Sequence, residues 1–409
     1  VADLGPAFLP ARCQDGTQAS LLALLREAGV AHAGACWKAG DAIEAMIFSN
    51  GAARVRLVLS DGTDTIEYEV PAGGAHFCLP CPRPGGVWSL AFRSAGETQP
   101  RLMHGSPLVF QHAPAALPAR AANAGARAPV SVVIPVYRDM RLVQACIDSV
   151  LASLPLNAAR AELVVIDDAS PEPELSAWLD ELAATGSITL LRNEHNLGFI
   201  ETVNRGMRHH AAHDVLLLNA DTLVHGDWID RLCAALYSAP DIASVTPWSN
   251  NGEISSFPKI ATAVTAPNAA QLAQLDAVAA QLRRLGATAD VELPSCCGFT
   301  MLIRRPVLDE IGMLDGVALV RGYGEEVDWC LRAGAAGYRH LAATGVFVAH
   351  AGTVSFRFEK TLRVRQNRNV LAARYPHYHP EYRAFIADDP LGEARSALRE
   401  ALQAAGPGW

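Results

Sequence analysis

Several things are scarce in this 409-residue chain, and each shortage removes a class of protein. Half of the residues are hydrophobic, yet no uninterrupted apolar run reaches about 18 residues, so no segment reads as a membrane span. No positively charged, then apolar, leader opens the chain. Basic residues are in the minority, 34 Lys and Arg against 42 Asp and Glu, and the net charge of -8 argues against nucleic acid as a partner, which needs a basic footprint. Charge of either sign is sparse, and much of the apolar fraction is alanine, so the mean hydropathy of +0.13 reflects small residues. A soluble protein is expected. Among nine cysteines only Cys78-Leu79-Pro80-Cys81 has ligand-like spacing, and a lone pair without a second pair or a nearby His reads first as a turn. The other cysteines sit in apolar segments as small core residues, a usage that fits a reducing compartment. The chain opens on Val1 rather than Met and stops at Gly408-Trp409, which reads as a piece of a longer polypeptide.

What is present divides unevenly, and the length allows two or three domains. After a short helix candidate around Leu21 to Arg26, Val55, Leu57 and Leu59 alternate with polar neighbours, Asp61-Gly62 supplies turn chemistry, and Ile66, Tyr68 and Val70 resume the alternation. This is a hairpin pattern. The runs Ala75 to Leu79 and Val87 to Phe92 between Pro and Gly clusters extend it to a small β-rich accessory domain over residues 1–112. Trp37, Tyr68 and Trp88 are the right types for a sugar-stacking platform, but aromatics in a small β domain are more often core.

Residues 113–129, an Ala, Pro, Arg and Asn stretch without apolar period, read as a linker. From Val130 the pattern becomes an alternation of short unbroken apolar runs with helix-period segments. Such alternation predicts an α/β domain, Rossmann-like, with a mostly parallel sheet and helices on both faces, spanning residues 130–375. Thr246 to Gly252 reads as a loop and Asn268 to Leu285 as an amphipathic helix inserted at the sheet's edge. A helical extension, 376–409, closes the chain.

Two of the apolar runs end in acid. Leu163-Val164-Val165-Ile166 runs into Asp167-Asp168-Ala169-Ser170, and Val215-Leu216-Leu217-Leu218 into Asn219-Ala220-Asp221. Ligands of open α/β sheets bind beyond the carboxyl ends of the strands, so these groups point into one crevice. Gathered carboxylates repel unless a cation sits among them, and a hard divalent ion bridging to a diphosphate is the natural answer.

Six pieces in order then carry a resemblance: Val130 to Tyr137, Asp167-Asp168-Ala169-Ser170, Asn196-Leu197-Gly198-Phe199, Asn219-Ala220-Asp221, Cys297-Gly298-Phe299 and Gly322-Tyr323-Gly324-Glu325-Glu326-Val327-Asp328-Trp329-Cys330. Together they resemble the family 2 glycosyltransferases of the GT-A fold, over about Pro129 to Tyr375. Ser249-Asn250-Asn251 and His350-Ala351-Gly352-Thr353 look like the bacterial surface-polysaccharide, rhamnosyltransferase-like branch.

The resemblance implies transfer of a sugar from a UDP-, dTDP- or GDP-linked donor to a hydroxyl of a glycan or lipid-linked glycan acceptor, with inversion and with Mn2+ or Mg2+ as cofactor. Asp221 matches the last position of an Asp-X-Asp motif whose first position here is the neutral Asn219, and His350 matches a second metal ligand. Pro135, Tyr137, Asp167, Asp168, Asn196, Gly198 and Asn204 fall on the nucleotide side. Glu326 matches the general base, for which a carboxylate in contact with the acceptor hydroxyl is the required chemistry. Trp248, Asn250, Gly298, Glu325 and Asp328 fall on the acceptor side. Arg357 and Lys360, with Arg363, Arg365 and Arg368 behind them, either clamp the donor diphosphate or meet an anionic membrane surface.

Each motif also has a plain reading. Asp-Asp-Ala-Ser-Pro caps a helix through Ser170, and Glu-Glu-Val-Asp favours a helix N-terminus. A sugar nucleotidyltransferase would carry a Gly-rich, basic loop after the first strand, where this chain has Pro135-Val136-Tyr137-Arg138-Asp139. A non-catalytic glycan-binding part of a larger multi-domain transferase would show damaged acids, and these are intact. The expectation is an inverting hexosyl- or deoxyhexosyltransferase of surface-polysaccharide synthesis, such as lipopolysaccharide, working in the cytoplasm or peripherally at the inner membrane, with further transferase domains in its parent chain.

Overall fold

The computed structural model describes residues 32–39, 42–49, 54–60, 64–71, 75–80, 86–95, 100–103, 106, 108–110, 127–319, 323–352 and 367–405. The helix candidate at Leu21, Cys81 of the Cys-Leu-Pro-Cys pair, most of the 113–129 linker, Gly322, and Arg357, Lys360, Arg363 and Arg365 lie outside these. The chain forms two compact units.

The first unit is β-rich. Strands β1 (His32–Ala39), β2 (Ala42–Ser49), β3 (Val55–Ser60), β4 (Thr65–Val70), β5 (Ala75–Pro80), β6 (Gly86–Ser94), β7 (Arg101–Leu102) and β8 (Leu108–Phe110) form two antiparallel sheets, β1-β2-β5 and β4-β3-β6-β7, with β8 paired to β6. The hairpin forms as its alternation requires, Leu57 opposite Tyr68 and Leu59 opposite Ile66. Leu57, Leu59, Ile43, Ile47, Leu90 and Trp88 fill one core. Trp88 therefore packs rather than stacking a sugar, Tyr68 is half-buried beside Phe77, and the Trp37 side chain is outside the description. Among the described residues, 315–319 and 367–375 cluster with this unit although they lie inside the 130–375 span. Buried Arg374 donates to Asp315 (2.7 Å) and to the hydroxyl of Ser89.

The second unit is built on an eight-stranded sheet of order β11-β10-β9-β12-β16-β14-β17-β15. Its elements are β9 (Val130–Val136), α1 (Met140–Ser153), β10 (Ala161–Asp167), α2 (Pro173–Ala184), β11 (Thr189–Arg192), α3 (Phe199–His209), β12 (Asp214–Leu218), β13 (Thr222–Leu223), α4 (Trp228–Leu236), β14 (Ile242–Trp248), α5 (Ala269–Arg284), β15 (Val291–Leu293), β16 (Thr300–Ile303), α6 (Arg305–Ile311), α7 (Glu325–Ala335), β17 (Arg339–Phe347), β18 (Ala349–His350), α8 (Tyr378–Asp388) and α9 (Gly392–Ala404).

Strands β9 to β12 are parallel, and β9, β10 and β12 are buried on both faces over most of their length, which is why they read as unbroken apolar runs. Val132 and Ile134 face α1, α2 and α4, in a core where each fully buried Val, Leu or Ile contributes about 1.5–3 kcal/mol. On the other face α3 approaches so closely that a Cβ on Gly206 would stand 2.5 Å from Val133 and 2.8 Å from Ile166. The sheet is mostly parallel, as expected: six of its eight strands share one direction, while β16 runs antiparallel between β12 and β14 and β15 antiparallel beside β17. The turn residues Thr246-Pro247-Trp248 also mislead: β14 continues through Trp248 with all seven residues buried, and pairing with β17 overrides local propensity. The register slips at Pro247, which has no N–H to give the ladder.

The inserted helix forms as α5, capped by Asn268 and Gln271 exchanging bonds of 3.0 Å, and joins α9 in a second core around Trp248 and Phe347. Among the described residues no helix is long and apolar enough to cross a membrane.

Candidate active site

The carboxyl ends of β10 and β12 deliver their acids as the apolar runs promise. Beyond β12, Thr222 and Leu223 pair antiparallel with His350 and Ala349, a short ribbon that brings chain positions far apart into register. That ribbon sets Asp221 Oδ1 3.4 Å from His350 Nε2, with both side chains largely buried. The other imidazole nitrogen, Nδ1, is 2.8 Å from the Asn251 carbonyl. A carbonyl only accepts, so Nδ1 carries the hydrogen, and in the neutral imidazole Nε2 holds the lone pair on the side of Asp221. The Phe299 ring stacks on the imidazole at 5.1 Å and 12° and fixes its plane. One carboxylate oxygen and one imidazole nitrogen at this separation could hold a divalent ion between them.

Asn250 is buried at 2% exposure and serves this ribbon instead of an acceptor: it accepts from the His350 N–H (2.8 Å) and donates to the His350 carbonyl (2.9 Å). Trp248 is likewise core, its indole N–H donating to the Thr344 carbonyl at 3.0 Å and its face covered by Arg395.

Glu325 and Glu326 open α7, after Tyr323 and Gly324, both at positive φ (79° and 96°). A left-handed Tyr costs about 1 kcal/mol or more, and its recompense is the abrupt entry that turns both glutamates inward. Glu325 is buried, and its Oε2 has no hydrogen-bond partner among the described residues. Burial pushes its carboxyl up to about 7, with the Glu253 charge adding to the effect. Burial first, then the charges of Glu325 and Glu253, hold Glu326 well above the usual carboxylate range. A helix N-terminus favours a carboxylate by about 0.3–1 kcal/mol, less than one pKa unit, so desolvation wins here. Glu326 accepts from the Gly324 N–H (3.2 Å), and a Cβ on Gly298 would lie 3.4 Å from its carboxyl carbon.

Cys297-Gly298-Phe299 is therefore the hinge of the arrangement: Gly298 lies against Glu326 while Phe299 covers His350. Asp328 turns away, fully buried in an ion pair with Arg332 (2.9 Å) that also ties down the Ile311 and Met313 carbonyls. Sequence reading missed Glu253, whose carboxylate accepts from Tyr382 (3.2 Å) and raises both glutamates. No sequence signal marks it, because its partners are over seventy residues away.

The Asp167 and Asp168 corner is built inward. Asp167 accepts from the Ser170 N–H (2.8 Å), the Ser176 hydroxyl (3.1 Å) and Arg192 (3.3 Å). Asp168 accepts from Asn193 (2.8 Å) and from the N–H groups of Leu197 (2.7 Å) and Gly198 (2.9 Å), so it shapes the loop that carries half-buried Asn196. Gly198 takes φ +83° at the entry to α3. Ser170 does not cap α2, whose N-cap is Glu172; its hydroxyl accepts from the Glu172 N–H instead. Asn204 is buried, both amide atoms bonded to the Leu314 backbone (2.8 and 3.1 Å), and faces the interior rather than a nucleotide. Pro135 and Tyr137 are half-buried at the end of β9, with Arg138 over the Tyr137 ring. Asn219 holds the turn after β12 through its backbone, donating to the Phe299 carbonyl (2.9 Å).

A mixed α/β sheet with acids and an oriented imidazole beyond its strand ends is the GT-A architecture, preceded here by a β-rich unit. Residues 131–312, under half of the chain, match the family described as Glycosyl transferase family 2, which supports a glycosyltransferase domain of that family. Solved structures with some likeness include GalNAc-T7 with UDP, GalNAc and Mn2+, at 18% identity and a TM-score of 0.47, over 67% of this chain and 54% of that one. Another is the mannosyltransferase PcManGT from Pyrobaculum calidifontis in complex with GDP-Man and Mn2+, at 19% identity and 0.42, over 69% and 77%. The chain thus spans about half the length of the first.

Proposed function

We propose that this chain is an inverting, metal-dependent family 2 glycosyltransferase that moves a sugar from a nucleotide-diphosphate donor to a glycan hydroxyl. The observation that carries the reading is the Cys297-Gly298-Phe299 bridge, which keeps a desolvated glutamate and an oriented Asp–His pair on two sides of one short segment. Asp221 and His350 would hold Mn2+ or Mg2+, and the ion when bound supplies positive charge where negative charge builds on the leaving diphosphate. Glu326 takes the proton of the acceptor hydroxyl as that oxygen attacks the anomeric carbon. Burial and the neighbouring charges of Glu325 and Glu253 hold its carboxyl above the usual range, which makes it a stronger proton acceptor than an ordinary glutamate. Asn250, Asn251 and Phe299 keep His350 in one tautomer and one plane. On this reading Asp168 acts on the nucleotide side by fixing the Asn196–Gly198 loop, and Arg357 and Lys360, outside the described residues, are assigned to the diphosphate by the motif order alone. The motif pieces around Ser249 and His350 further suggest a bacterial surface polysaccharide as the acceptor, with a hexosyl or deoxyhexosyl donor, and peripheral contact with the inner membrane.

The test is a thermal-shift panel of UDP, GDP and dTDP, with CMP as control, each with and without Mn2+, on wild type and Asp221→Ala. Ligand binding to the native state raises the midpoint by mass action. A rise with one diphosphate that needs Mn2+ and vanishes in Asp221→Ala supports the reading. A well-folded wild type that no diphosphate shifts under any metal condition overturns it.

A further inference from the structure

At the opposite end of the parallel strands lies a second group of ligating side chains. Glu162 stands near the start of β10, and His210 and His213 in the turn between α3 and β12. Five residues of extended chain separate Glu162 from Asp167, roughly 16 Å, so this group is distinct from the crevice. We propose that Glu162, His210 and His213 form a site for a zinc-type divalent cation at the amino ends of the sheet.

One ligating atom from each of the three residues lies within 4.8 Å of the other two. His210 Nε2 is 2.8 Å from Glu162 Oε2, an ion pair that already holds two of the three side chains together. Bonds of about 2.0–2.1 Å in a tetrahedron put ligand atoms about 3.3 Å apart, so a shift of about half an ångström turns this ion pair into two ligands of one ion.

Each ligand is also held from behind. The Thr189 hydroxyl donates to Glu162 Oε1 (2.6 Å) and leaves Oε2 to the site. Ser131 Oγ is 3.0 Å from His213 Nδ1 and leaves Nε2. Buried Arg305 donates to the Met207, His210 and His213 carbonyls at 2.8, 2.9 and 2.7 Å, which fixes the turn carrying both rings. Those rings stack at 4.3 Å and 24°, side by side. Such support from outside the ligand set is what orients metal-binding imidazoles.

Two imidazoles and one carboxylate select zinc over magnesium or calcium, which want oxygen. The Glu162 and His210 side chains are 36% and 30% exposed, so water reaches the fourth position. A buried trio, Cys296, Cys330 and His340, satisfies the same spacing but has both His340 nitrogens already bonded, to Ser244 and to the Cys330 carbonyl.

The experiment is a titration of the tag-free full chain with Zn2+ against a chromophoric chelator, on wild type, Asp221→Ala and the double variant His210→Ala/His213→Ala. One zinc equivalent in wild type and in Asp221→Ala, weakened at least 10-fold in the double variant, is the expected result. Equal zinc affinity in wild type and a folded double variant overturns the proposal, as does no zinc binding at all. Co2+ bound to Asp221→Ala supplies a second readout: visible bands of a nitrogen and oxygen ligand set, lost when His210→Ala/His213→Ala is added, support the site, and bands that persist in the added variant or a dominant thiolate charge-transfer band overturn it.

Discussion

Two pairs of adjacent acids look alike in the sequence and end in opposite physical states. Asp167 and Asp168 follow a strand, and every contact they make is answered by a donor of the protein itself: backbone N–H groups, a hydroxyl, an amide and a guanidinium. Glu325 and Glu326 open a helix, where they are desolvated, repel each other and are pushed further up by Glu253. The first pair stabilises the fold. The second costs stability and keeps its capacity to hold a proton. The difference teaches that two acids side by side do not mark chemistry; what marks it is a carboxylate whose burial outweighs the few backbone donors that reach it.

The sharpest way to break this contrast is Glu326→Gln. If Glu326 is the base, the substitution keeps the shape, removes the proton acceptor and lowers kcat by about 10²- to 10⁴-fold. The rate of the wild type should climb with pH along an acid limb lying above the ordinary glutamate range, since a raised pKa keeps the base protonated at low pH. Nucleotide release measured across pH 5 to 9 checks both. Wild-type turnover in Glu326→Gln would remove Glu326 from the chemistry.

Asp168→Ala probes the other side. It strands two loop N–H groups and the Asn193 amide in a buried place, so urea unfolding should show a loss of about 2–4 kcal/mol even without nucleotide. Stability unchanged, with only nucleotide affinity lost, would make Asp168 a ligand contact and erase the contrast.

How far the sequence could see follows the same line. Strands β9, β10 and β12 were legible because burial on both faces leaves an unbroken apolar run, and the hairpin of β3 and β4 because one face alternates. The order of motifs placed Asp221, His350 and Glu326, and the ribbon and the Cys297–Phe299 segment account physically for their arrangement. Antiparallel β16, the strand character of Thr246 to Trp248, and the inward turn of Asn204, Asn250 and Asp328 were not legible. Each depends on a partner far off in the chain, such as Leu314 for Asn204 or the His350 backbone for Asn250. Local pattern reports which residues avoid water, but it does not report which carbonyl a buried amide will find.

The smallest and most discriminating effect belongs to Glu325. Its folded-state pKa of about 7 stands above the ordinary 4.5, so between those values the native state binds more protons than the unfolded one. Stability then falls as pH climbs through that window, and the penalty is complete above about 7. Glu325→Gln removes the ionisation while keeping the volume. It should raise Tm by a few degrees at pH 8 and change it little at pH 5, as read by calorimetry at fixed ionic strength. The matched substitution Asp167→Asn should behave in the contrary sense, losing stability at pH 8 because the donors around it are arranged for a carboxylate. A Glu325→Gln variant that is less stable at pH 8 than wild type would mean that the backbone donors at Glu325 outweigh its burial, and the two acid pairs would then be the same kind of object.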